Sequence, residues 1–370
     1  MAIFLLIING LYFVFTLVLI FNWLKLMKKQ VIISYEKDTK ITIIIPVRNE
    51  AKNILNLLQD INNQDYPYGN FEVIIANDGS TDDTAELVLE FQENAKYSIR
   101  LLNIFEEKGA SPKKRAIQKS IKISSGELIF STDGDCRVPQ KWLSSIQQYY
   151  KFTDAKLISS PVTFIDENNF WNTAQIIEFA SLIGSGACAM YLNKPNMCNG
   201  ANIAYTREVF ESVGGFAGNE HLASGDDEFL MHKVAQKYPK QVMFNINPDS
   251  IVKTDSQPNF KHFYQQRKRW ASKWKHYNNW QISVLAIFIF TVNFGVIFNY
   301  FLLPTKIGFE LVCLKFGAEF VFLSLIINYL GYSKKIFFIP IVQIFYPFYV
   351  IFFGLISQGK GYQWKGRKLL

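Results

Sequence analysis

Cysteine is scarce in this sequence: only four of the 370 residues are cysteines, at positions 136, 188, 198 and 313. None of them forms a CxxC pair, and none has the histidine pairing that a zinc module needs. The sequence therefore indicates no structural zinc module, and a reducing compartment is the simplest interpretation of its thiols.

Two other signatures are missing. No GxGxxG follows the first apolar strand pattern, so a dinucleotide cofactor is not indicated. The net charge of +8 comes without a nucleic-acid-binding motif, and the basic residues are scattered or adjacent to apolar segments, so nucleic acid is not an expected partner. The same charge suits a protein that lies against anionic lipid and handles phosphates.

Apolar residues, by contrast, are abundant: they make up 49% of the chain, with aromatics at 16%. Residues 2–24 carry no charge and are long enough to cross the hydrocarbon core, which needs about 20 residues. A signal peptide would need a basic stretch before this run and a small-residue cleavage site after it, and neither is present. We therefore predict an N-terminal transmembrane anchor over residues 1–24.

Further apolar stretches follow residue 280, and each is close to the spanning length of about 20 residues. These stretches are 281–303, 308–330 and 336–357. We predict C-terminal transmembrane segments over residues 281–357 and a basic tail over 358–370.

The orientation follows from the basic residues beside the first run. Lys25, Lys28 and Lys29 come directly after it, so the positive-inside bias places the intervening domain in the cytoplasm. We expect an integral membrane protein, in the inner membrane if the source is bacterial. Pro340 and Pro347 interrupt the last stretch, so a re-entrant or kinked hairpin that returns the tail to the cytoplasm is a further hypothesis.

Residues 31–257 alternate strand and helix patterns and predict an α/β domain. The strand patterns are short β-branched runs, as expected of strands covered on both faces. They lie at 41–47, 71–78, 98–105 and 126–135, with helical spacing between them. This alternation predicts a mostly parallel sheet with helices on both faces, in which ligands bind beyond the carboxyl ends of the strands.

The segment STDGDCRVP places two carboxylates, Asp133 and Asp135, on a turn after a buried strand. Such a pair can converge on one hard cation. Mg²⁺ or Mn²⁺ favours oxygen ligands and often coordinates substrate phosphates at the same time. The alternative is that both residues only close a turn or cap the helix that begins near Pro139.

Two further acidic groups have a functional and a structural interpretation. Asp78, at the end of the second strand pattern, could hydrogen-bond a nucleotide base or ribose, or the segment could be a turn with Ser80 or Thr81 as a helix cap. Asp226 and Asp227 could supply a general base that deprotonates an acceptor hydroxyl, or they could stabilise a helix start.

Basic residues form two groups with similar ambiguity. Residues 258–280 predict an interfacial helix, in which Gln266, Arg269 and Trp270 could bind a diphosphate and an acceptor. Membrane anchoring is the simpler role for Lys268, Lys273 and Trp280. Before the third predicted helix, Lys113, Lys114 and Arg115 could contact phosphates, with a solvated helix face as the alternative.

Taken in order, the segments PVRNE, NDGSTDDT, DGD, NGAN, GDD and QRKRW resemble the family 2 inverting glycosyltransferases, which have the GT-A (Rossmann-like) fold. The resemblance covers about residues 40–275 and the flanking apolar segments. QRKRW matches the QxxRW motif of membrane-integrated members, such as ceramide glucosyltransferase-like enzymes and poly-N-acetylglucosamine, cellulose and hyaluronan synthases.

The resemblance implies a role for each matched residue. It places Pro46, Asn49, Glu50 and Asp78 around the nucleotide; Lys113 and Lys114 stay candidates for nucleotide-sugar binding from their charge and position. It makes Asp133 and Asp135 the metal- and diphosphate-binding DxD, and Asp227 the base. It assigns Gln266, Arg269 and Trp270 to the acceptor and the diphosphate. Two departures stand out: Val47-Arg48 replaces the small or aromatic residues of many relatives, and GDD replaces the usual Glu-Asp pair, which leaves Asp226 as a rival base.

The expected function is an inverting, metal-dependent transfer of a hexose-type sugar from a nucleotide sugar, most simply a UDP-sugar. The expected acceptor is a hydroxyl of a membrane lipid or lipid-linked glycan. A processive polysaccharide synthase of the same family is the first alternative. A non-catalytic membrane protein that retains a nucleotide-binding fold as a partner is the second.

Overall fold

The computed structural model describes residues 2–28, 36–104, 111–220, 222, 224–272, 280–356, 362–364 and 367–369. The chain divides into two units. The α/β unit comprises Lys29–Ile165, Ala189–Asp255 and Trp364–Leu370, and the helical unit comprises Met1–Lys28, Asp166–Cys188 and Ser256–Gln363. The helical unit therefore takes residues 166–188 out of the predicted domain at 31–257.

A seven-stranded sheet forms the centre of the α/β unit, in the order β3-β2-β1-β4-β7-β5-β8. Its strands are β1 (Ile41–Val47), β2 (Phe71–Asn77), β3 (Ser98–Asn103), β4 (Leu128–Ser131), β5 (Leu157–Ser159), β7 (Ile203–Thr206) and β8 (Val242–Phe244). Strand β7 is antiparallel to both neighbours, and the other pairings are parallel. A second parallel pair joins β6 (Val162–Phe164) and β9 (Val252–Thr254). The predicted mostly parallel α/β sheet is confirmed.

Apolar side chains on both faces explain why the central strands are buried. Ile43, Ile44 and Ile45 in β1 are all inaccessible to solvent, as are the three residues from Val73 to Ile75 in β2. Alternate side chains of a strand point to opposite faces, so such runs require cover on both sides. The helices of the unit are α2 (Ile54–Asn62), α3 (Thr84–Gln92), α4 (Pro112–Ile123), α5 (Trp142–Phe152), α7 (Arg207–Ser212) and α8 (Asp226–Lys237). Helix α4 packs directly against β1 and β2.

The helical unit is built from long apolar helices. They are α1 (Ala2–Met27), the part of α6 (Phe170–Tyr191) up to residue 188, α9 (Phe260–Ser272), α10 (Trp280–Leu302), α11 (Thr305–Tyr329) and α12 (Ile339–Ile356). Within the described residues, four stretches are long and apolar enough to cross a membrane: Ile3–Met27, Phe170–Tyr191, Trp280–Asn299 and Ser333–Ile356.

Three of these four stretches coincide with predicted spans. Phe170–Tyr191 adds one that lies within the α/β domain predicted at 31–257. The predicted span 308–330 forms α11, which is not among the four, so its crossing of a membrane stays a prediction. Residues Ile339–Ile356 form one helix that continues through Pro347, so the hairpin hypothesis is wrong for this segment. Helix α12 can retain Pro347 because a proline interrupts one backbone hydrogen bond without obliging the chain to turn back.

Glu72 links the three parallel strands at one edge of the sheet. Its carboxylate accepts hydrogen bonds from Thr42 Oγ1 at 2.8 Å and from Ser125 Oγ at 2.8 Å, and it pairs with the Arg100 guanidinium. Burial by itself would raise the pKa of Glu72, but the hydrogen bonds from Ser125, Thr42 and Arg100 outweigh it and hold the pKa below its usual value.

We therefore expect Glu72→Gln to reduce the free energy of unfolding by about 1–3 kcal/mol at pH 7, because the hydrogen bonds to a charged acceptor are weakened. A depressed folded-state pKa contributes stability that is present above the unfolded-state pKa of about 4.3 and is lost as pH falls through the folded-state value. The variant should therefore lose less Tm than the wild type between pH 6 and pH 3.5. Thermal unfolding of the detergent-purified protein measures both effects.

The matched control for this variant is Glu90→Gln, since Glu90 is an exposed residue of α3. It should leave the Tm and its pH dependence unchanged. An equal Tm for Glu72→Gln and wild type at pH 7 would contradict the role of Glu72.

Candidate active site

The carboxyl ends of β1, β2 and β4 lie at one edge of the sheet and carry three polar segments. The Asp78 N–H donates to Val47 O at 2.9 Å, so the end of β2 continues alongside the end of β1. The Thr132 N–H donates to Ile44 O at 3.3 Å, which places the DGD turn on the other side of β1. Parallel pairing in register thus gathers residues that are 87 positions apart at one edge of the sheet.

The PVRNE and NDGSTDDT segments bind each other through hydrogen bonds. Asn49 has a left-handed φ of +54°, which turns the chain after β1. Its Oδ1 accepts from the Thr81 N–H at 2.8 Å, and its own N–H donates to Ser80 Oγ at 3.0 Å. The Glu50 N–H donates to Thr84 Oγ1 at 2.8 Å. Ser80 and Thr81 are therefore not helix caps: Asp83 is the N-cap position of α3, and the segment closes on the β1 loop instead.

Asp78 is buried and paired with cations. Its Oδ1 lies 2.7 Å from the Arg115 guanidinium of α4, and both side chains are 5% exposed. Arg48, the departure from the family pattern, donates to Asp78 O at 2.6 Å and places its guanidinium 4.0 Å from Asp78 Oδ2. The predicted contact of Asp78 with a nucleotide stays a prediction, and any such contact would include Arg48 as a neighbour.

Lys113 joins two acidic motifs. Its Nζ lies 2.7 Å from Asp133 Oδ1 and 3.3 Å from Asp226 Oδ2. Burial would lower the pKa of Lys113, but the carboxylates of Asp133, Asp226 and Asp227 more than offset it and raise the pKa above its ordinary value. A permanent ammonium therefore stands between the DGD turn and the start of α8.

Asp227 faces the NGAN segment. Its Oδ2 accepts from the Gly200 N–H at 2.7 Å, and its Oδ1 accepts from the Glu228 N–H at 2.8 Å. The N-cap of α8 is Gly225, with φ +79° and no side-chain cap, so neither Asp226 nor Asp227 is the cap itself. A Cβ on Gly200 would lie 3.2 Å from both Asp226 Oδ2 and Lys113 Nζ, so glycine leaves the room that this cluster occupies.

The three basic residues of α4 point to different partners. Lys114 is buried, with its Nζ 2.7 Å from Asn219 O and 5.0 Å from the centre of the Phe229 ring. Arg115 is buried against Asp78. The solvated-face alternative is wrong for these two residues, because both ammonium and guanidinium groups have internal acceptors. A contact of Lys113 or Lys114 with a nucleotide sugar stays a prediction.

The DGD turn has donors that suit a divalent cation. Asp133 and Asp135 supply carboxylate oxygens, which Mg²⁺ and Mn²⁺ prefer. A Cβ on Gly134 would lie 2.9 Å from Val47 Cγ1 and 3.0 Å from Glu50 Cγ, so glycine lets the turn rest directly on the end of β1. Neither aspartate caps α5, whose N-cap is Lys141. Within the described residues no three His, Cys, Asp or Glu side chains form a metal-binding group. Asp133 and Asp135 are the residues of this turn that would hold a cation.

The QRKRW residues lie in α9, within the helical unit. Trp270 packs on Phe179 of α6, with ring centres 5.7 Å apart, and Gln266 Oε1 accepts from Arg267. Arg269 is half-buried in the last turn of α9.

Trp280 is highly exposed at the start of α10, in keeping with an anchoring role, and Lys273 lies outside the described residues. Arg267, which occupies a variable position of the motif, was not singled out from the sequence although it is the most buried residue of the motif.

The mostly parallel sheet with acidic turns at its carboxyl edge is a GT-A glycosyltransferase fold. The same fold is found in a mannosyltransferase from Pyrobaculum calidifontis, solved in complex with GDP-Man and Mn²⁺. The two chains superpose with a TM-score of 0.61 at 18% identity, over 92% of this chain and 97% of the other. Residues 42–214 match the family described as Glycosyl transferase family 2. The chain carries a glycosyltransferase domain of that family, which confirms the resemblance.

Sequence relatives agree with this assignment. Glycosyltransferase AglE of Haloferax volcanii is 30% identical over 187 residues, which is 50% of this chain and 58% of the relative. A poly-β-1,6-N-acetyl-D-glucosamine synthase of Staphylococcus epidermidis is 23% identical over 72% of this chain and 61% of its own length. A β-monoglucosyldiacylglycerol synthase of a Nostoc species is 22% identical over 64% of this chain and 50% of the relative. The chain thus spans about half to three fifths of the length of these relatives.

The fit of the DGD turn against β1 can be tested with Gly134→Ala. The added methyl would overlap Val47 and Glu50, and such overpacking costs about 1–3 kcal/mol. We expect a lower Tm and weaker binding of a nucleotide sugar, both measured on purified protein. Gly69→Ala is the control, since a Cβ there meets nothing within 4 Å. Wild-type values for both properties in Gly134→Ala would contradict the close packing of the turn.

Proposed function

We propose that this protein transfers a sugar from a nucleotide-sugar donor, a UDP-sugar in the simplest case, to a hydroxyl group of a membrane lipid or lipid-linked glycan, with inversion at the anomeric carbon. The observation that carries the proposal is a cluster of two adjoining sets of contacts: Lys113 Nζ lies 2.7 Å from Asp133 and 3.3 Å from Asp226, and the neighbouring Asp227 accepts from the Gly200 N–H at 2.7 Å. These residues come from separate motifs, and a purely structural role would not require so many carboxylates at the ligand-binding edge of a sheet.

In this proposal the loops at the ends of β1 and β2 surround the nucleotide. Asn49 and Glu50 hold the two loops together through hydrogen bonds to Ser80, Thr81 and Thr84. Pro46 and Asp78, at the ends of β1 and β2, complete the proposed nucleotide site. Lys113 offers its ammonium to the diphosphate from the same edge, and Asp133 and Asp135 would hold a divalent cation, Mg²⁺ or Mn²⁺. Such a cation supplies Lewis-acid stabilisation of the negative charge that develops on the diphosphate.

Asp227 is the better candidate for the general base. The N–H groups of Gly200 and Glu228 fix the plane of its carboxylate, and each oxygen keeps a lone pair that can accept the acceptor's proton. Asp226 is instead paired with the Lys113 ammonium at 3.3 Å, so its carboxylate already has a cation as its partner. We assign Asp226 an electrostatic role and Asp227 the proton transfer.

The lipid acceptor is supported by the four apolar stretches of spanning length and by the names of the relatives, one of which is a glucosyldiacylglycerol synthase. An integral membrane location with the α/β unit in the cytoplasm is part of the proposal. Gln266, Arg269 and Trp270 belong to the helical unit, so their roles in binding acceptor and diphosphate are predictions from the motif.

A processive polysaccharide synthase is the second candidate, favoured by the likeness to a poly-N-acetylglucosamine synthase over 72% of this chain. A detergent-purified sample with a panel of sugar nucleotides and a total lipid extract would separate the two. A lipid enlarged by one sugar mass supports the first candidate, and long polymer supports the second. A product with neither form, together with no donor hydrolysis, would favour the non-catalytic alternative.

The base assignment leads to a direct test. Asp227→Asn should reduce transfer by about 10²–10⁴-fold, the usual contribution of a general base, while the Kd for the nucleotide sugar changes little. Asp226→Asn should reduce transfer less, because its partner Lys113 remains. Asp154→Asn, at an exposed position, is the control. Full turnover in Asp227→Asn would refute the assignment, and a larger loss in Asp226→Asn than in Asp227→Asn would transfer it to Asp226.

Metal dependence is tested by chelation. Transfer should disappear with EDTA and return when Mg²⁺ or Mn²⁺ is added in excess. Asp135→Asn should require more metal for half-maximal activity, since one charged oxygen ligand is replaced by an amide. Undiminished transfer in EDTA would contradict the proposed cation.

A further inference from the structure

One face of α9 is buried against its neighbours in the helical unit. Phe263, Arg267 and Trp270 are spaced i, i+4 and i+7, which places them on the same side of the helix. Phe263 packs edge-on against Trp171 of α6, with ring centres 5.2 Å apart, and against Phe353 of α12 at 6.0 Å. Arg267 is the charged residue in the middle of this otherwise aromatic face.

Arg267 is 2% exposed and forms a two-point ion pair with Glu178 of α6. Its Nε lies 3.1 Å from Glu178 Oε1, and a terminal nitrogen lies 2.5 Å from Oε2. The Tyr349 hydroxyl of α12 donates to Glu178 Oε1 at 2.7 Å. Three helices therefore meet at one carboxylate, and the planar guanidinium matches it in a way that an ammonium would not.

The same guanidinium also contacts two residues of the QxxRW motif. Its other terminal nitrogen donates to Gln266 Oε1, and its central carbon lies 4.2 Å from the centre of the Trp270 ring. The same carbon lies 4.5 Å from the centre of the Phe263 ring. Both Gln266 and Trp270 would lose a direct neighbour if this group were removed.

An ion pair that served only to dock α9 would need no contact with the motif, and apolar side chains of similar volume often dock helices equally well. Glu178 also lies in a stretch apolar enough to span a membrane, where ionisable residues are costly and tend to serve function. We infer that Arg267 is a positioning residue, through which Glu178 and Tyr349 orient Gln266 and Trp270 for binding of the lipid acceptor. The inference rests on the proposed function and adds residues that the motif itself does not specify.

The test compares Arg267→Gln, Arg267→Lys and the double variant Glu178→Gln/Arg267→Gln with wild type. Four quantities are measured on detergent-purified protein: Tm, apparent KM for the total lipid extract, KM for the sugar nucleotide, and donor hydrolysis without lipid. Lys261→Gln, which removes one exposed charge from the same helix, is the matched control.

Arg267→Gln should raise the apparent KM for lipid by about tenfold or more, since misplaced binding groups are costly, while the donor KM and donor hydrolysis stay within about twofold of wild type. Arg267→Lys should have an intermediate KM for lipid, because lysine keeps the positive charge but lacks the planar guanidinium that forms the two-point ion pair. The double variant should recover Tm, because no buried charge is left alone, yet it should keep the raised KM because the guanidinium beside Gln266 and Trp270 is still missing.

A structural role alone would reduce the active fraction and leave the KM for lipid unchanged. That result, or a normal KM for lipid in the double variant, would overturn the inference while the proposed function stood. A wild type that neither transfers sugar nor hydrolyses any donor would overturn the proposed function itself, and the positioning role with it.

Discussion

The candidate site depends on the ammonium of Lys113 among carboxylates that would otherwise repel one another. Asp133, Asp226 and Asp227 arrive from the end of β4 and the start of α8, and like charges this close disfavour a shared cleft. The Lys113 ammonium lies 2.7 Å from Asp133 and 3.3 Å from Asp226, and it offsets that repulsion before any ligand binds. Helix α4 supplies it, and the same helix holds Asp78 through Arg115, so one helix balances the charge of both acidic groups.

Much of the α/β unit could be predicted because its signals are local. The bounds of β1 are those predicted, since seven apolar and β-branched residues permit few alternatives. Strands β5, β6 and β8 have three residues each, too few to show a period, and the sequence pattern missed them. The reversed direction of β7 was also missed, because pairing direction depends on contacts between distant segments.

The side-chain partners were harder to predict than the elements. The acidic residues of the motifs were visible as candidates, but the pairing of Lys113 with Asp133 and Asp226 joins positions up to 113 residues apart. The sequence has helical spacing directly after the β1 pattern, but helix α2 begins only at residue 54, because Asn49 takes a left-handed turn to reach Ser80 and Thr81. Those two hydroxyl residues suited a cap by composition, and a tertiary contact took precedence over that local preference.

In the helical unit, mean hydropathy is also a limited guide to structure, because it counts the charged residues of a helix without showing which way their side chains point. Helix α11 contains Lys315 and Glu319, whose side chains pair at 2.6 Å and are 2% and 10% exposed. Glu319 also accepts from the Tyr12 hydroxyl of α1 and from Gln343 of α12, so its polar groups face neighbouring helices. The charges in the middle of α11 are thus turned inward, whereas Lys306 and Glu310 near its start are exposed. Inward-facing, paired ionisable residues are the usual arrangement where a helix crosses a membrane. The same arrangement in Arg267 and Glu178 indicates that paired, inward charges are how this unit combines polar side chains with an apolar exterior.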